Sequence, residues 1–162
     1  MELEDAIKGR RSIRRFLDKA VEEEKLEKIL DLIKWSPSAH NAQEWEIFVV
    51  KDEKRKGELA DAAFGQSFLA DAPVVLVVCG NKARLRGEHY LPIDMGIVTY
   101  NICLVAYSLG LGTCIVGAFD PDRVRKVLGV GDKLIPYSII PIGYPSTNPK
   151  PPERRSDYVH FI

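Results

Sequence analysis

Met95-Gly-Ile-Val-Thr-Tyr-Asn-Ile-Cys-Leu-Val-Ala-Tyr-Ser-Leu-Gly-Leu-Gly-Thr-Cys-Ile-Val-Gly-Ala-Phe119 runs for 25 residues without a charge. That is long enough to raise a bilayer-spanning segment. Thr99, Asn101 and Ser108 interrupt it, however, and Gly110-Leu111-Gly112 breaks it in two. Before the break, Ile93, Ile97, Tyr100, Leu104, Tyr107 and Leu111 recur at alternating spacings of four and three, while Val98, Ile102, Val105 and Leu109 mark a second apolar face. A helix apolar all round belongs inside a soluble core or partly across a subunit interface. The expectation is a buried central helix from about Ile93 to Leu109, and no membrane span.

The rest of the chain supports a soluble protein. Its 162 residues suit one domain, 1–162, large enough for a substantial core. Lys plus Arg and Asp plus Glu balance at 23 each, which argues against a general nucleic-acid binder. The charged N-terminus MELEDAIKGRR lacks the apolar region of a secretory signal. Cys79, Cys103 and Cys114 lie in apolar surroundings without C-x-x-C spacing, as buried thiols in a reducing compartment would. A cytoplasmic location is expected.

Helices and strands alternate on either side of the central helix. Leu3–Gly9 and Glu22–Trp35 read as helices, the second with Leu26, Ile29, Leu30 and Ile33 on one face. Ile47–Val50 reads as a strand and Lys54–Phe64 as a third helix. Val74-Val75-Leu76-Val77-Val78 is an unbroken apolar run that suits a strand buried on both faces. Cys114–Val116 is a short extended segment. Asp120-Pro121 opens a helix that Gly129 closes. Leu134–Ile142 is a last strand, interrupted by Pro136 and Pro141. The tail is rich in Pro, Lys and Arg, yet it ends in Tyr-Val-His-Phe-Ile, apolar residues in need of a surface to cover.

Four clusters could carry chemistry. Arg10-Arg11-Ser12-Ile13-Arg14-Arg15-Phe16 offers guanidinium forks and a hydroxyl matched to a phosphate, or else a solvated basic helix end. Ser36-Pro-Ser-Ala-His-Asn-Ala-Gln-Glu-Trp45 offers amides and hydroxyls to a polar heterocycle, or else an ordinary helix-to-strand loop. Gly110 to Phe119 would let a flat ligand approach the main chain, but it lacks the G-x-G-x-x-G spacing of a dinucleotide fold. Gly143-Tyr144-Pro145 with Lys150, Arg154 and Arg155 adds cations, or is a solvated tail. His40, His89 and His160 are too scattered for a metal site, and no G-x-S-x-G frames a serine nucleophile. Asp61, Asp71 and Asp94 read as solvated or capping residues.

Taken in order, R-R-S-I-R-x-F, S-P-S-A-x-N-x-Q-x-W, A-P-V-V-L-V-V, L-G-L-G-T-C, I-V-G-A-F-D and G-Y-P with K-P resemble the FMN-dependent nitroreductase family over essentially the whole chain. The resemblance implies an α+β three-layer sandwich: a mostly antiparallel central sheet and a long buried helix, in an intertwined homodimer with FMN at the interface. It implies electron transfer from NAD(P)H through FMN to a small acceptor such as a nitroaromatic or quinone. By the same resemblance, Arg10, Arg11 and Ser12 correspond to phosphate and ribityl contacts, and Arg14 to a cation near the ribityl chain and pyrimidine. Ser38, Asn41 and Gln43 correspond to the loop that touches flavin from the other subunit. Gly117 and Ala118 correspond to the backbone facing flavin N5 and O4, and Gln66 to an amide near the pyrimidine. Lys150, with Arg154 or Arg155, corresponds to the C-terminal phosphate contacts. Alternatives are another flavin enzyme of the fold, of reductive dehalogenase or flavin-fragmenting type, and a flavin carrier or sensor without turnover. Two departures stand out. Glu44 replaces the family's usual proline, adding a carboxylate expected to bias against anionic acceptors. The Gly80–Pro92 connection is short where many members carry a longer helical excursion.

Overall fold

The computed structural model describes residues 2–162. In chain order its elements are α1 (Leu3–Gly9), α2 (Glu23–Ile33), a 3-10 turn (Ala39–Asn41), β1 (Trp45–Val50), α3 (Glu53–Ala62) and α4 (Phe68–Asp71). Then come β2 (Val74–Asn81), a second 3-10 turn (Lys82–Arg84), α5 (Leu91–Ser108), β3 (Gly112–Thr113), α6 (Pro121–Leu128) and β4 (Leu134–Gly143). The four strands form one antiparallel sheet in the order β1-β2-β4-β3.

β2 sits inside that sheet, hydrogen-bonded to β1 on one edge and β4 on the other. Its side chains alternate between two cores, as strand geometry requires. Val74, Leu76 and Val78 pack with Leu26, Ile29 and Ile33 of α2 and with Met95, Val98 and Ile102 of α5. Val75, Val77 and Cys79 pack with Leu59 of α3, Leu69 of α4 and Val124 of α6. Three layers result, with helices on both faces of the sheet.

The helix ends follow local chemistry. Asp120 accepts the N–H groups of Asp122 and Arg123, Pro121 opens α6, and Gly129 at φ 70° closes it. Asp52 caps α3 through the Arg55 N–H. Lys56 is buried because its ammonium donates to the Ala72 carbonyl at 2.7 Å and pairs with Glu53.

Two strand expectations change. β4 is continuous through both prolines; Pro136 sits where the β2 register shifts between Val78 and Cys79, a bulge that tolerates its missing N–H. Pro141 lies between the Thr113–Ile142 pairing and the Val116–Ile139 bridge, and it has no N–H to give. The Cys114–Val116 segment therefore forms a single bridge at Val116, and β3 lies just before it. α4, four residues long, has no periodic signature in the sequence.

α5 is covered on one face only. Met95, Val98, Thr99, Ile102, Cys103 and Ala106 are buried, and Thr99 meets Ser138 of β4 at 2.7 Å. The other apolar face stays open: Ile93 is 59% and Tyr100 38% exposed, with Ile97 and Leu104 half-buried. By length and composition α5 is long enough to cross a membrane, but its buried face belongs to the sheet. All three cysteines are buried and free; burial pushes the Cys79 thiol up to about 12 and raises Cys103 and Cys114 as well.

Leu76 is fully buried at the centre of β2. Leu76→Ala should lower stability by about 2–5 kcal/mol, read as a fall in urea midpoint at unchanged slope. A loss below about 0.5 kcal/mol, the range of surface changes, would mean that this strand is not the packed centre.

Candidate active site

The segment after α1 is drawn onto β3. The Ile13 N–H donates to the Thr113 carbonyl at 2.8 Å, and Ser12 bridges Thr113 in parallel. Gly112 permits this approach, since a Cβ there would lie 2.7 Å from Ile13. Arg10, Ser12 and Arg14 thereby gather beside Cys114: burial raises that thiol, while Arg14, the Ser12 hydroxyl and Arg10 pull it down.

Arg10 and Arg11 are half-buried and line a cavity of about 490 Å³ with Tyr107, Leu111, Thr113 and Pro145 to Asn148. Among the described residues, the buried side-chain polar atoms without a partner are Arg10 Nε, Arg11 Nε, Thr113 Oγ1 and both Glu44 carboxylate oxygens. Three of the five thus belong to residues lining this one cavity. Orphaned donors are costly in a finished interior, and guanidinium groups left this way suit an anionic group.

Gln66 donates to the Ala63 carbonyl at 3.0 Å and the Ala118 carbonyl at 3.2 Å. Arg14 lies over the Phe68 ring at 5.9 Å. Gly117 and Ala118 are exposed, with no acceptor for either N–H among the described residues. A Cβ at Gly117 would meet nothing within 4 Å. Arg10, Ser12 and Arg14 thus gather beside Cys114, Arg10 and Arg11 line the cavity, and Gln66 is fixed to Ala118, four residues beyond Cys114 in the chain.

Ser38, Asn41 and Gln43 form a separate group. Their loop holds left-handed backbone at His40, Asn41 and Gln43, with φ of 54°, 53° and 49°. Non-glycine residues there cost roughly 1–2 kcal/mol each, so the conformation needs support. Ser38 Oγ accepts the Gln43 N–H at 3.0 Å, and Gln43 Nε2 donates to Asn41 Oδ1 at 3.1 Å. Asp94 Oδ2 accepts the Ala39 N–H at 2.9 Å, and Asn101 donates to Ser36 at 2.8 Å. Asp94 is therefore a buried anchor of the loop, not a solvated residue. From Asp94 to Tyr107, at the arginine cavity, α5 covers about 20 Å.

Two expectations need correction. Glu44 does not face an open pocket and cannot screen acceptors by charge, because it is fully buried. The alternative of a solvated tail does not hold for Tyr144, whose hydroxyl is held by Glu22 at 2.6 Å and Lys25 at 2.7 Å, fastening the start of the tail to α2. Beyond it, Lys150, Arg154 and Arg155 are exposed and are not brought to Arg10 within the chain; Arg155 pairs with Asp157. Thr113 and Asp94 are the polar residues near the two groups that sequence reasoning missed. Each sits in an apolar or capping context that gives no signal.

The chain matches the nitroreductase family over residues 7–67 and 62–144. It is 36% identical over 153 residues to a protein of Methanothermobacter thermautotrophicus provisionally named NADH dehydrogenase/NAD(P)H nitroreductase, covering 92% of this chain and 80% of that one. Among solved structures, a Bacteroides thetaiotaomicron protein with the same provisional name superposes at a TM-score of 0.91, with 31% identity over 98% of this chain and 96% of that one. The FMN-dependent nitroreductase of Clostridium difficile R20291 superposes at 0.88, with 31% identity and 96% of each chain covered. With helices on both faces of an antiparallel sheet and its paired motifs in place, this chain belongs to the nitroreductase family.

Proposed function

We propose that this protein is an FMN-dependent oxidoreductase that uses NAD(P)H to reduce a small acceptor such as a nitroaromatic or quinone, and that it works as a homodimer. The observation that carries the reading is the pair of unpartnered arginine Nε donors at one cavity, on a segment paired to Thr113, a few residues before the open backbone N–H groups of Gly117–Ala118. The names of two relatives, one an NAD(P)H nitroreductase and one an FMN-dependent nitroreductase, support it.

The residues fit FMN. Arg10, Arg11 and Ser12 would hold the phosphate and ribityl end; the Nε of each arginine has no partner among the described residues, while Arg11 Nη1 donates to the Lys8 and Arg10 carbonyls. Arg14, packed on Phe68, would place a cation near the pyrimidine side, where negative charge develops on reduction. Gln66, fixed to Ala118, and the free N–H groups of Gly117 and Ala118 would orient the ring edge. Bound FMN would supply the redox chemistry between NAD(P)H and the acceptor. No side-chain nucleophile is asked of this chain.

The dimer follows from what α5 leaves open. A two-fold axis through its exposed stripe would set two copies of the helix antiparallel. The partner's Ser38–Gln43 loop would then approach the Arg10 end of this chain. Burying the stripe would also cover Ile93 and Tyr100. The terminal residues, with Phe161 at 97% exposure, would have a second subunit to embrace, carrying Lys150, Arg154 and Arg155 towards a phosphate.

Released chromophore should identify as FMN. Arg10→Ala and Lys150→Ala should each weaken FMN binding by about 1.5–3 kcal/mol, measured by flavin fluorescence quenching. Unchanged affinity in both variants, or a protein that cannot be loaded with FMN, would overturn the reading.

Donor and acceptor should use one pocket in turn, because the chain carries no dinucleotide fingerprint and no second nucleotide fold. Steady-state rates varied in both substrates should give parallel double-reciprocal lines. Intersecting lines would show that both bind together, and stoichiometric reduction without turnover would point to a carrier.

A further inference from the structure

The loop that carries Asn41 has a second neighbour, the short Gly80–Pro92 connection that leads into α5. Where the two meet, His40, Asn41, Arg84 and Arg86 line a cavity of about 280 Å³. Sites that enclose a drug-sized ligand run to roughly 300–1,000 Å³, so this one suits a polar part of a larger molecule. The connection holds three cations, Lys82, Arg84 and Arg86, against one acid, Glu88. Arg11, Arg123, Arg125 and Arg155 find hydrogen-bond or ion-pair partners for their side chains. Arg84 and Arg86 are exposed, and their side chains have none among the described residues.

The walls of this cavity are held by their own contacts. Asn81 accepts the Ala83 N–H at 2.9 Å and donates to Glu46 of β1 at 2.9 Å. The Lys82 N–H donates to the Lys133 carbonyl at 2.8 Å, so the Lys82–Arg84 turn is tied at its base. On the other side, His40 and Asn41 hold left-handed backbone, and the His40 ring meets that of Tyr90 edge-on at 6.0 Å. Backbone strain of this kind gathers at ligand clamps, where surrounding contacts sustain it. Guanidinium forks beside an amide suit phosphate oxygens, which each fork can grip through two parallel hydrogen bonds.

We propose that this cavity is the anion subsite of the electron donor, in which Arg84 and Arg86 take the pyrophosphate of NAD(P)H. The proposal rests on the flavin reading, in which Asn41 stands beside the flavin held by the other subunit. A nicotinamide stacked on that flavin carries its pyrophosphate one ribose away, so a site for the phosphates has to adjoin the flavin loop. This cavity does, because Asn41 belongs to both. The arginines at Arg10 and Arg11 serve the FMN phosphate, and the chain has no G-x-G-x-x-G turn to hold a second one. The pyrophosphate is common to NADH and NADPH, whereas the 2′-phosphate of NADPH lies further out on the adenosine. Arg84 and Arg86 therefore raise affinity for both donors without choosing between them.

The test compares wild type with Arg84→Ala and Arg86→Ala in three measurements. Calorimetry follows binding of ADP-ribose, which has the pyrophosphate but no nicotinamide. Anaerobic stopped flow follows flavin reduction by NADH and by NADPH, and then by dihydronicotinamide riboside, a donor without phosphates. Each variant should raise the ADP-ribose dissociation constant and the half-saturating NADH and NADPH concentrations roughly tenfold, the loss of a hydrogen bond to a charged group. The limiting reduction rate, reduction by the riboside and FMN affinity should not move. Both arginines are exposed, and the riboside control reports that the variants are folded. Equal effects on NADH and the riboside, or unchanged ADP-ribose binding in both variants, overturn the proposal. A loss confined to NADPH would put the 2′-phosphate here and overturn it too. Unchanged ADP-ribose binding in variants that load FMN refutes the subsite and leaves the flavin reading standing. Weakened ADP-ribose binding in a protein that never loads FMN upholds the subsite and refutes the flavin reading.

Discussion

β2 carries five consecutive branched or leucine side chains, Val74 to Val78, so neither face of the strand can meet water. Each of those side chains is worth roughly 1.5–3 kcal/mol when fully buried, and that stabilisation requires a helical layer on both sides. One layer is α2 with α5, and the other is α3, α4 and α6. The requirement places the rest of the molecule. It fixes which face of α5 turns inward, and therefore which apolar face is left without cover. It also sets β4 beside β2 and β3 beyond it, so that the Ser12–Phe16 segment has an edge to lie against.

The polar residues of α5 turn this packing constraint into a functional one. Thr99 bonds Ser138 in the core, Asn101 holds Ser36, and Asp94 holds Ala39. One helix thus anchors the polar loop near its start, while its other end reaches Tyr107 beside Arg10 and Arg11. The two groups of residues matched to flavin contacts are held apart by the rigid element that orders them both. In the proposed dimer an interface between two copies would reunite them, with the exposed α5 stripe as the surface buried there.

Much of this is legible in the sequence where local chemistry decides. The β2 run and the Asp120-Pro121 start and Gly129 stop of α6 report correctly, because each depends on its own neighbours. What fails depends on partners distant in the chain. Both faces of α5 are apolar, so periodicity identifies a helix but not which face is buried. The break in β3 is set by Pro141 on another strand. Glu44 looks like a loop carboxylate, yet burial within the chain removes it from solvent. Asp94 looks like a capping residue, yet it supports a loop more than fifty positions earlier. The contact of Gln66 with Ala118 is likewise a tertiary fact that spacing alone does not report.

A site completed across two copies is tested most directly by a heterodimer. Arg10→Ala and Asn41→Ala chains, co-expressed with different tags and purified as the mixed dimer, are titrated with FMN. If each site takes Arg10 from one subunit and Asn41 from the other, one site in the mixed dimer is intact and the other carries both changes. Tight binding of one FMN per dimer at wild-type affinity is then expected. Two equivalent, weakened sites, or a flavin-bearing species sedimenting at the 18.2 kDa of one chain, would contradict a site shared between subunits.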